Sequence, residues 1–344
     1  MKNFLNIADH SPSLLRDLIE EAKERKNKRD GQNKSSIDED KPLDGKSMIM
    51  IFEKPSTRTR ISFDLAIKQL GGSSVILNPD GIHYGKGDES LKDTARVLSE
   101  YADVLMIRTS SHKNLEDFAK YSKIPVINGL SDQSHPCQVM SDILTFEENN
   151  GNIEGKTISW IGDGNNNMSN SFIEAAVKFK FNLNIGCPKK YSPNNNILKW
   201  ASKNKSKIFV TKDPREAVKD ADCIMTDKWI SMNDKVNKKV KKKSLKDYQV
   251  NKKLLKLAKS DCIFMHCLPV GRGEEVTDEI IDGKKSVVWQ QASNRVHAQK
   301  SIINWCLNYG NALGLELFEF IYKITEALSF SFLNPAKAIL VPLI

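Results

Sequence analysis

Short apolar runs bounded by Gly, Pro, Asn and Asp alternate along this chain with longer stretches whose apolar residues return every three or four positions. Ser47 to Phe52 (SMIMIF) has the length and continuity of a buried strand. Ser73 to Leu77, Val104 to Ile107 and Ile124 to Ile127 read the same way, as do Thr157 to Ile161, Leu183 to Gly186, Ile208 to Val210, Cys223 to Thr226 and the segment from Asp261 to His266. Between them the period changes to that of a helix. Residues 1–30 carry Leu14, Leu15, Leu18, Ile19 and Ala22 at helical spacing behind Ser11-Pro12. A second helix, with Ile61, Leu65, Ala66 and Leu70 on one face, stops at Gly71-Gly72. Further helices are expected over Leu91 to Tyr101, over Val139 to Glu148 with Gln138 on the first turn, from the Gly162 loop through Lys180, over Asp213 to Asp222, and from Val296 to about Tyr309. Residues 28–46 and 78–90 are too polar for a core and read as loops. Alternating strand and helix predicts an α/β fold with mainly parallel sheets.

Asn149 to Gly155 (NNGNIEG) is the clearest linker, and the strand–helix pattern restarts behind it. The expected organisation is a first domain over 1–148, a second over 149–310 and a tail over 311–344. In the tail Leu313, Leu317, Phe320, Ile321, Ile324 and Leu328 form an apolar helical stripe. A chain of 344 residues, 40% hydrophobic, suffices for two such cores. The formal net charge of +9 and pI near 9.0 favour an anionic partner. Six cysteines without a C-x-x-C pair fit a reducing cytoplasm. The N-terminal stretch lacks the apolar core of a signal peptide, and no run is long enough to span a bilayer. The expected location is cytoplasmic.

The chemistry concentrates where strands end. After Phe52 the chain reads Glu-Lys-Pro-Ser56-Thr57-Arg58-Thr59-Arg60 and enters a helix. Such a turn aims unpaired N–H groups and the positive helix end at one point, an anion site. Ser56, Thr57 and Thr59 add hydroxyls, and a guanidinium can grip two phosphate oxygens. The plainer alternative is that Ser56 only caps the helix. Arg108 follows a strand at the edge where open α/β sheets bind ligands, or is a surface arginine. His135, kept extended by Pro136, and Gln138 together can serve a carbonyl oxygen and an amide N–H₂. Gly162-Asp-Gly-Asn-Asn-Asn167 imitates a dinucleotide fingerprint but has Asn167 where the third glycine belongs, which argues against a nicotinamide cofactor. Its amides suit a polar zwitterion. Asp227 follows another strand and can hold an ammonium group or act as a loop acid. His266 and Cys267 alternate on a strand and point apart unless the chain bends, and zinc would need two further ligands that cannot be placed. Cys267 itself is either an active thiol or a small buried hydrophobe. The lysine run from Lys235 to Lys243 lacks aromatics to stack bases and reads as a solvated loop. Arg295 adds one more arginine at a helix start.

In this order FEKPSTRTR, MIRTSSH, HPCQ, IGDGNNNMSNS, TDKWISM, HCLP and ASNR resemble the carbamoyltransferases, over about residues 2 to 309. The D-x-x-x-S-M and H-C-L-P elements resemble the ornithine branch more narrowly. The resemblance implies two α/β domains with the active site in the interdomain cleft, and transfer of a carbamoyl group from carbamoyl phosphate to the δ-amine of L-ornithine. It implies that Ser56, Thr57, Arg58 and Thr59 hold the phosphate and that Arg108 bridges phosphate and carbonyl. His135, Gln138 and Arg295 would meet the carbamoyl group. Asn166, Asp227, Ser231 and Met232 would bind ornithine, with Cys267 and Leu268 flanking the reacting amine. Arg108, His135, Asp227 and Cys267 form the implied catalytic set, with Asp227 and Cys267 helping to take the amine's proton. No metal and no organic cofactor is implied, nor a nucleic-acid or membrane partner. A homotrimer, or a multiple of trimers, in which a neighbour's loop completes the phosphate site is.

Three features depart from the family pattern. His83-Tyr84-Gly85 stands where many relatives carry Gln-Leu-Gly, with an apparent extra Asp88; Asn233 follows Met232 where glycine is common; and the tail after Tyr309 exceeds the usual length. Related enzymes acting on putrescine or N-acetylornithine are the alternative substrate readings. A non-catalytic paralogue or a basic nucleic-acid-binding protein are the alternatives outside catalysis.

Overall fold

The computed structural model describes residues 2–78, 89–230 and 237–307. The segments holding Ser231 and Met232, the His83 loop and the tail therefore lie outside the described residues.

Two parallel sheets organise the chain. In the first half the order of elements is α1 (Pro12–Asn27), β1 (Ser47–Phe52), α2 (Thr57–Gln69), β2 (Ser73–Leu77), α3 (Leu91–Ser99), β3 (Val104–Arg108), α4 (His112–Tyr121), β4 (Val126–Leu130) and α5 (Pro136–Asn150). The second half holds β5 (Thr157–Ile161), α6 (Asn167–Phe179), β6 (Asn182–Gly186), α7 (Asn195–Lys203), β7 (Ile208–Thr211), α8 (Pro214–Val218), β8 (Cys223–Thr226), α9 (Lys238–Leu245), α10 (Lys252–Leu255), β9 (Ile263–His266) and α11 (Asp278–Ile281). Helix α12 runs over residues 288–307. The sheets have the orders β2-β1-β3-β4 and β7-β6-β5-β8-β9, and every strand pair is parallel. Helices cover the sheets, so the central strands are buried along almost their whole length and show no in-out alternation. All five residues of β3 are buried.

Both orders reverse at one place, between β1 and β3 and between β5 and β8. At such a switch point the connections leave in opposite directions and open a crevice at the carboxyl ends of the strands. The register decides which residues meet there. Phe52 pairs with Arg108, and Thr226 with His266, so Asp227 and Cys267 leave adjacent strands side by side.

Helix α5 lies at the centre of the molecule. Its residues from Pro136 to Glu147 are all buried, and it touches α1, β4, α6 and β9. Helix α12 docks on it through polar groups: the Ser141 hydroxyl donates to the Gln291 carbonyl (3.0 Å), Asn294 to Thr145 Oγ1 (2.9 Å) and Gln291 Nε2 to Asp142 Oδ1 (2.7 Å). Further along, Lys300 of α12 is fully buried, 2.5 Å from Asp38, and donates to Gln69 (3.3 Å). Asp38 also meets Arg29 at 2.7 Å and Arg25 at 3.3 Å.

Several expectations are corrected. Residues 2–10 are not helical: Phe4 lies beside β4, donating to Val126 and accepting from Asn128, and helix begins only at Pro12 behind the Ser11 cap. The buried face of α2 is carried by Phe63, Ala66 and Ile67, while Ile61 is 58% exposed. The helix expected over Asp213 to Asp222 is the shorter α8, which turns out before Asp220, a residue at positive φ. Most of the lysine run is helix, not loop. Asn237 caps α9, and Lys241 is buried with Nζ 2.6 Å from Asp163 and 5.5 Å from the Tyr191 ring. A run of like charges hides which member faces the protein, because that depends on where the acid lies in the fold.

The α12 ion cluster is asymmetric. Lys300→Met leaves Asp38 with two arginines and is expected to cost about 1 kcal/mol, whereas Asp38→Asn leaves buried cations uncompensated and is expected to cost about 3 kcal/mol. Urea denaturation midpoints of the two variants check this order.

Candidate active site

A cleft of about 360 Å³ opens between the carboxyl ends of the two sheets. From the first half it is lined by Ser56, Thr57, Arg58, Thr59, Arg108, His135 and Gln138; from the second by Asn167, Met168, Asp227, Cys267, Leu268 and Arg295.

The phosphate-like turn is built as follows. Ser56 is the N-cap of α2 in extended conformation, but its side chain makes no capping bond. The hydroxyl is thus not spent on the helix, contrary to the plainer alternative. Arg58 faces the cleft one residue into the helix, while Arg60 turns away over the Phe52 ring and bonds to Asn78. Behind Arg108, Glu53 accepts from the Thr109 hydroxyl (2.7 Å) and the Ser110 N–H (3.0 Å), which fixes the chain leaving β3. Arg108 Nη1 donates to Thr59 Oγ1 at 3.3 Å, and Arg295 Nη2 donates to the same oxygen at 2.8 Å. Among the described residues neither Arg108 nor Arg295 pairs with a carboxylate, and the Nε of each has no partner. Burial lowers both guanidinium pKa values to about 10, helped by repulsion from Arg295 and Arg58 at Arg108 and from Arg58 at Arg295. Both stay charged at neutral pH. A buried cluster of cations without counter-charge is a site for an anion.

His135 is the N-cap of α5, with φ −140° and ψ 65°, and its N–H donates to Ser171 Oγ of α6 at 2.9 Å. Its ring is buried and Nδ1 has no partner among the described residues. Burial first, then Arg295, Arg108 and Arg58, push its pKa well below the ordinary value. The ring is therefore a neutral imidazole, one N–H donor and one acceptor. Gln138 one turn on accepts from Arg295 Nη1 on Oε1 (2.5 Å) and donates from Nε2 to Asp142 Oδ1 (2.8 Å). Burial raises the Asp142 carboxyl to about 7.

On the other wall the Cys267 thiol lies 3.0 Å from Asp227 Oδ1. Burial and that carboxylate hold the thiol pKa well above its usual value, so Cys267 is an S–H donor and not a thiolate. This removes it as a base for the amine's proton. His266 and Cys267 do not point apart as strand alternation demands, since the strand ends at His266 and Leu268 takes φ 56°. Donor atoms of Asp227, His266 and Cys267 fall within 4.8 Å of one another, a spacing that could take a metal ion. They are engaged with other partners, however: His266 Nδ1 accepts from Leu268 N–H (2.8 Å), Nε2 lies 3.3 Å from Glu275, and the thiol is protonated.

Asn166, expected to bind ornithine, is the N-cap of α6. Its side chain completes a capping box with Ser169 (2.8 Å) and donates to the Asp163 carbonyl, while Asn167 and Met168 line the cleft. Asn167 was the residue that broke the dinucleotide pattern, and in that failure lay the only sequence signal for it. Ser231 and Met232 fall outside the described residues.

The comparisons with known proteins agree across both halves. Residues 2–148 match the model of the aspartate/ornithine carbamoyltransferase carbamoyl-P binding domain, and 154–306 that of the Asp/Orn binding domain. An ornithine carbamoyltransferase of Nitrobacter winogradskyi is 48% identical over 309 residues, covering 90% of this chain and 98% of that protein. One of Rhodopseudomonas palustris is 50% identical over 306 residues, covering 89% and 96%. Among solved structures, ornithine carbamoyltransferase from Pyrococcus furiosus superposes with a TM-score of 0.84 at 42% identity, covering 90% of this chain and 97% of that one. The anabolic ornithine carbamoyltransferase of Campylobacter jejuni gives 0.82 at 37% identity, covering 90% and 100%.

The unfolded chain protonates the His135 ring below about pH 6.5 and the folded chain does not, so this residue withdraws stability as pH falls below that value and nothing above it. Its imidazole resonances are expected to show no titration between about pH 5 and 8 in an NMR titration, where an exposed histidine would.

Proposed function

The chain belongs to the aspartate/ornithine carbamoyltransferase family, and we propose that it transfers the carbamoyl group of carbamoyl phosphate to the δ-amine of L-ornithine, giving L-citrulline and phosphate. The observation that carries this reading is the cleft in which Arg58, Arg108 and Arg295 lack carboxylate partners among the described residues, beside a neutral His135 and an oriented Gln138. That set matches a phosphate joined to a small planar group with one oxygen and one N–H₂.

Carbamoyl phosphate takes the cationic side of the cleft. Its phosphate sits on the N-terminus of α2 with Ser56, Thr57, Arg58 and Thr59, and Arg108 spans phosphate and carbonyl. The N–H of neutral His135, with Arg108 and Arg295, donates to the carbonyl oxygen, and Gln138 Oε1 accepts from the carbamoyl N–H₂. The ornithine α-carboxylate and α-amino groups are held by the second domain, where Asn166, Asn167, Asp227, Ser231 and Met232 are the candidates. Asp227, oriented by the Cys267 S–H, and Leu268 place the δ-amine against the carbamoyl carbon.

The deprotonated amine attacks that carbon, and negative charge develops on the carbonyl oxygen. Donors already aimed at that position stabilise it without reorganisation. The C–O bond to phosphate then breaks; phosphate leaves with the bonding pair, stabilised by Arg58 and the helix end. The amine's proton passes to the departing phosphate, because the Cys267 thiol is already protonated and the His135 ring is a weak base. We assign the boundaries 1–148, 149–310 and 311–344 to the carbamoyl-phosphate domain, the ornithine domain and a tail. A homotrimer is supported by apolar surface on the first domain, where Val75 on edge strand β2 is 55% exposed and Tyr101 is 72% exposed. A cytoplasmic location is supported by six free cysteines, five of them buried, and a role in arginine biosynthesis by the likeness to the anabolic enzyme of Campylobacter jejuni. No helix of the described residues is long and apolar enough to cross a membrane.

The purified protein is expected to form citrulline from carbamoyl phosphate and ornithine, and not to turn over putrescine, N-acetylornithine or aspartate in parallel. Turnover with another amine alone would overturn the substrate assignment. Arg58→Ala is expected to lower kcat/KM by about 10³-fold or more, since it removes charge from the leaving group. Cys267→Ala is expected to raise the ornithine KM about tenfold with a smaller effect on carbamoyl phosphate. Steady-state kinetics with each substrate varied in turn separates the two.

A further inference from the structure

Behind the carbamoyl end of the cleft, and touching none of it, lies Asp142. It is fully buried on α5, one turn after Gln138. Its Oδ1 accepts two hydrogen bonds, from Gln138 Nε2 at 2.8 Å and from Gln291 Nε2 at 2.7 Å, and its Oδ2 has no partner among the described residues. Burying a carboxyl for two amide contacts is unfavourable on its own, and an apolar side chain would cost less. No cation is within ion-pair reach of it among the described residues, so it is not part of a structural salt bridge.

Its chemistry suits one task. A primary amide is nearly symmetric in shape, and its oxygen and nitrogen can exchange places by a half-turn about the last side-chain bond. Asp142 Oδ1 is an acceptor in the carboxylate and remains one when a proton sits on Oδ2, so each amide facing it must present nitrogen. For Gln138 this sends Nε2 into the protein and leaves Oε1 toward the cleft, where one lone pair takes Arg295 and the other remains for a donor. For Gln291 it leaves Oε1 to accept the His266 N–H at 2.9 Å, the residue before Cys267. One buried acceptor thereby sets both an acceptor at the carbamoyl site and the backbone that carries the thiol.

We propose that Asp142 is a positioning residue for carbamoyl recognition. By locking the Gln138 amide with oxygen toward the cleft, it makes the site select an acyl phosphate bearing N–H₂ over one bearing a methyl group. Arg295 reinforces this from the cleft side, but there the substrate competes for its donors; Asp142 acts from behind, where nothing enters. The inference rests on the reading of the cleft as a carbamoyl phosphate site.

The probes are carbamoyl phosphate and acetyl phosphate, which share the phosphate and carbonyl and differ in N–H₂ against CH₃. Their dissociation constants are measured by calorimetry on the intact protein, and the ratio acetyl to carbamoyl is the readout. Asp142→Leu is expected to lower that ratio about tenfold, the worth of one oriented hydrogen bond in a buried site. Asp142→Asn, whose Oδ1 can accept from both glutamines, is expected to retain it. If Asp142→Leu does not fold, Asp142→Ala serves, since water entering the space both donates and accepts and imposes no orientation. A merely structural role would weaken both ligands equally and leave the ratio unchanged, and that result overturns the proposal. A protein without substitution that binds the two phosphates equally well, or forms no carbamoylated product, would bring down the reading of the site itself. Discrimination that is intact there and unaltered in the variants rejects Asp142 alone.

Discussion

Three guanidinium groups, those of Arg58, Arg108 and Arg295, share one cleft, and none of them forms an ion pair with a carboxylate among the described residues. Left to themselves they would repel and turn to water. They are held instead by neutral acceptors: Thr59 Oγ1 takes one N–H from each of Arg108 and Arg295, and Gln138 takes another from Arg295. Neutral partners satisfy the hydrogen bonds while leaving the charge uncancelled, and that is what an anion site needs. The cost in folding free energy falls on the rest of the molecule. The polar seam of α5 and α12 carries Arg295 to Thr59 across the two halves, and it leaves the arginine no room to turn away.

The same cluster decides the state of its neighbours. His135 is neutral because it is buried among cations, so it donates one N–H and carries no charge that would compete for the phosphate. Cys267 is protonated for the opposite reason, since it is buried against Asp227. The cleft thus has a cationic cluster, Arg58 and Arg108 from the first half joined by Arg295 from the second, and an anionic corner at Asp227 on the second sheet. Two substrates of opposite local charge, a phosphate and an ammonium-derived amine, are sorted to opposite walls by this polarity alone.

Two parallel sheets make the arrangement possible. Every parallel strand ends on the same edge, so the residues that follow β1, β3, β4, β5, β8 and β9 converge although they are far apart in the chain. The pairing of Thr226 with His266 is enough to bring Asp227 against Cys267.

The apolar runs and their spacing determined the α/β class, the strands and most helices by themselves, because a buried parallel strand and an amphipathic helix have different periods that composition cannot disguise. The turn that lines the cleft was legible too, since Ser-Thr-Arg-Thr-Arg after a strand puts hydroxyls and a guanidinium at a helix N-terminus. What the sequence could not contain is everything set by contacts across the fold. Which lysine of α9 is buried depended on where Asp163 lies, and whether Ser56 caps its helix or faces the cleft depended on backbone detail at one turn. That Asn166 closes a capping box while Asn167 faces the cleft was decided by the exact start of α6. The charge states of His135 and Cys267, and the part of Asp142 behind Gln138, come from burial and from neighbours contributed by both halves of the chain. Local pattern carries the period of the backbone; only tertiary packing supplies the dielectric and the partners that turn a side chain into an acid, a donor or a spectator.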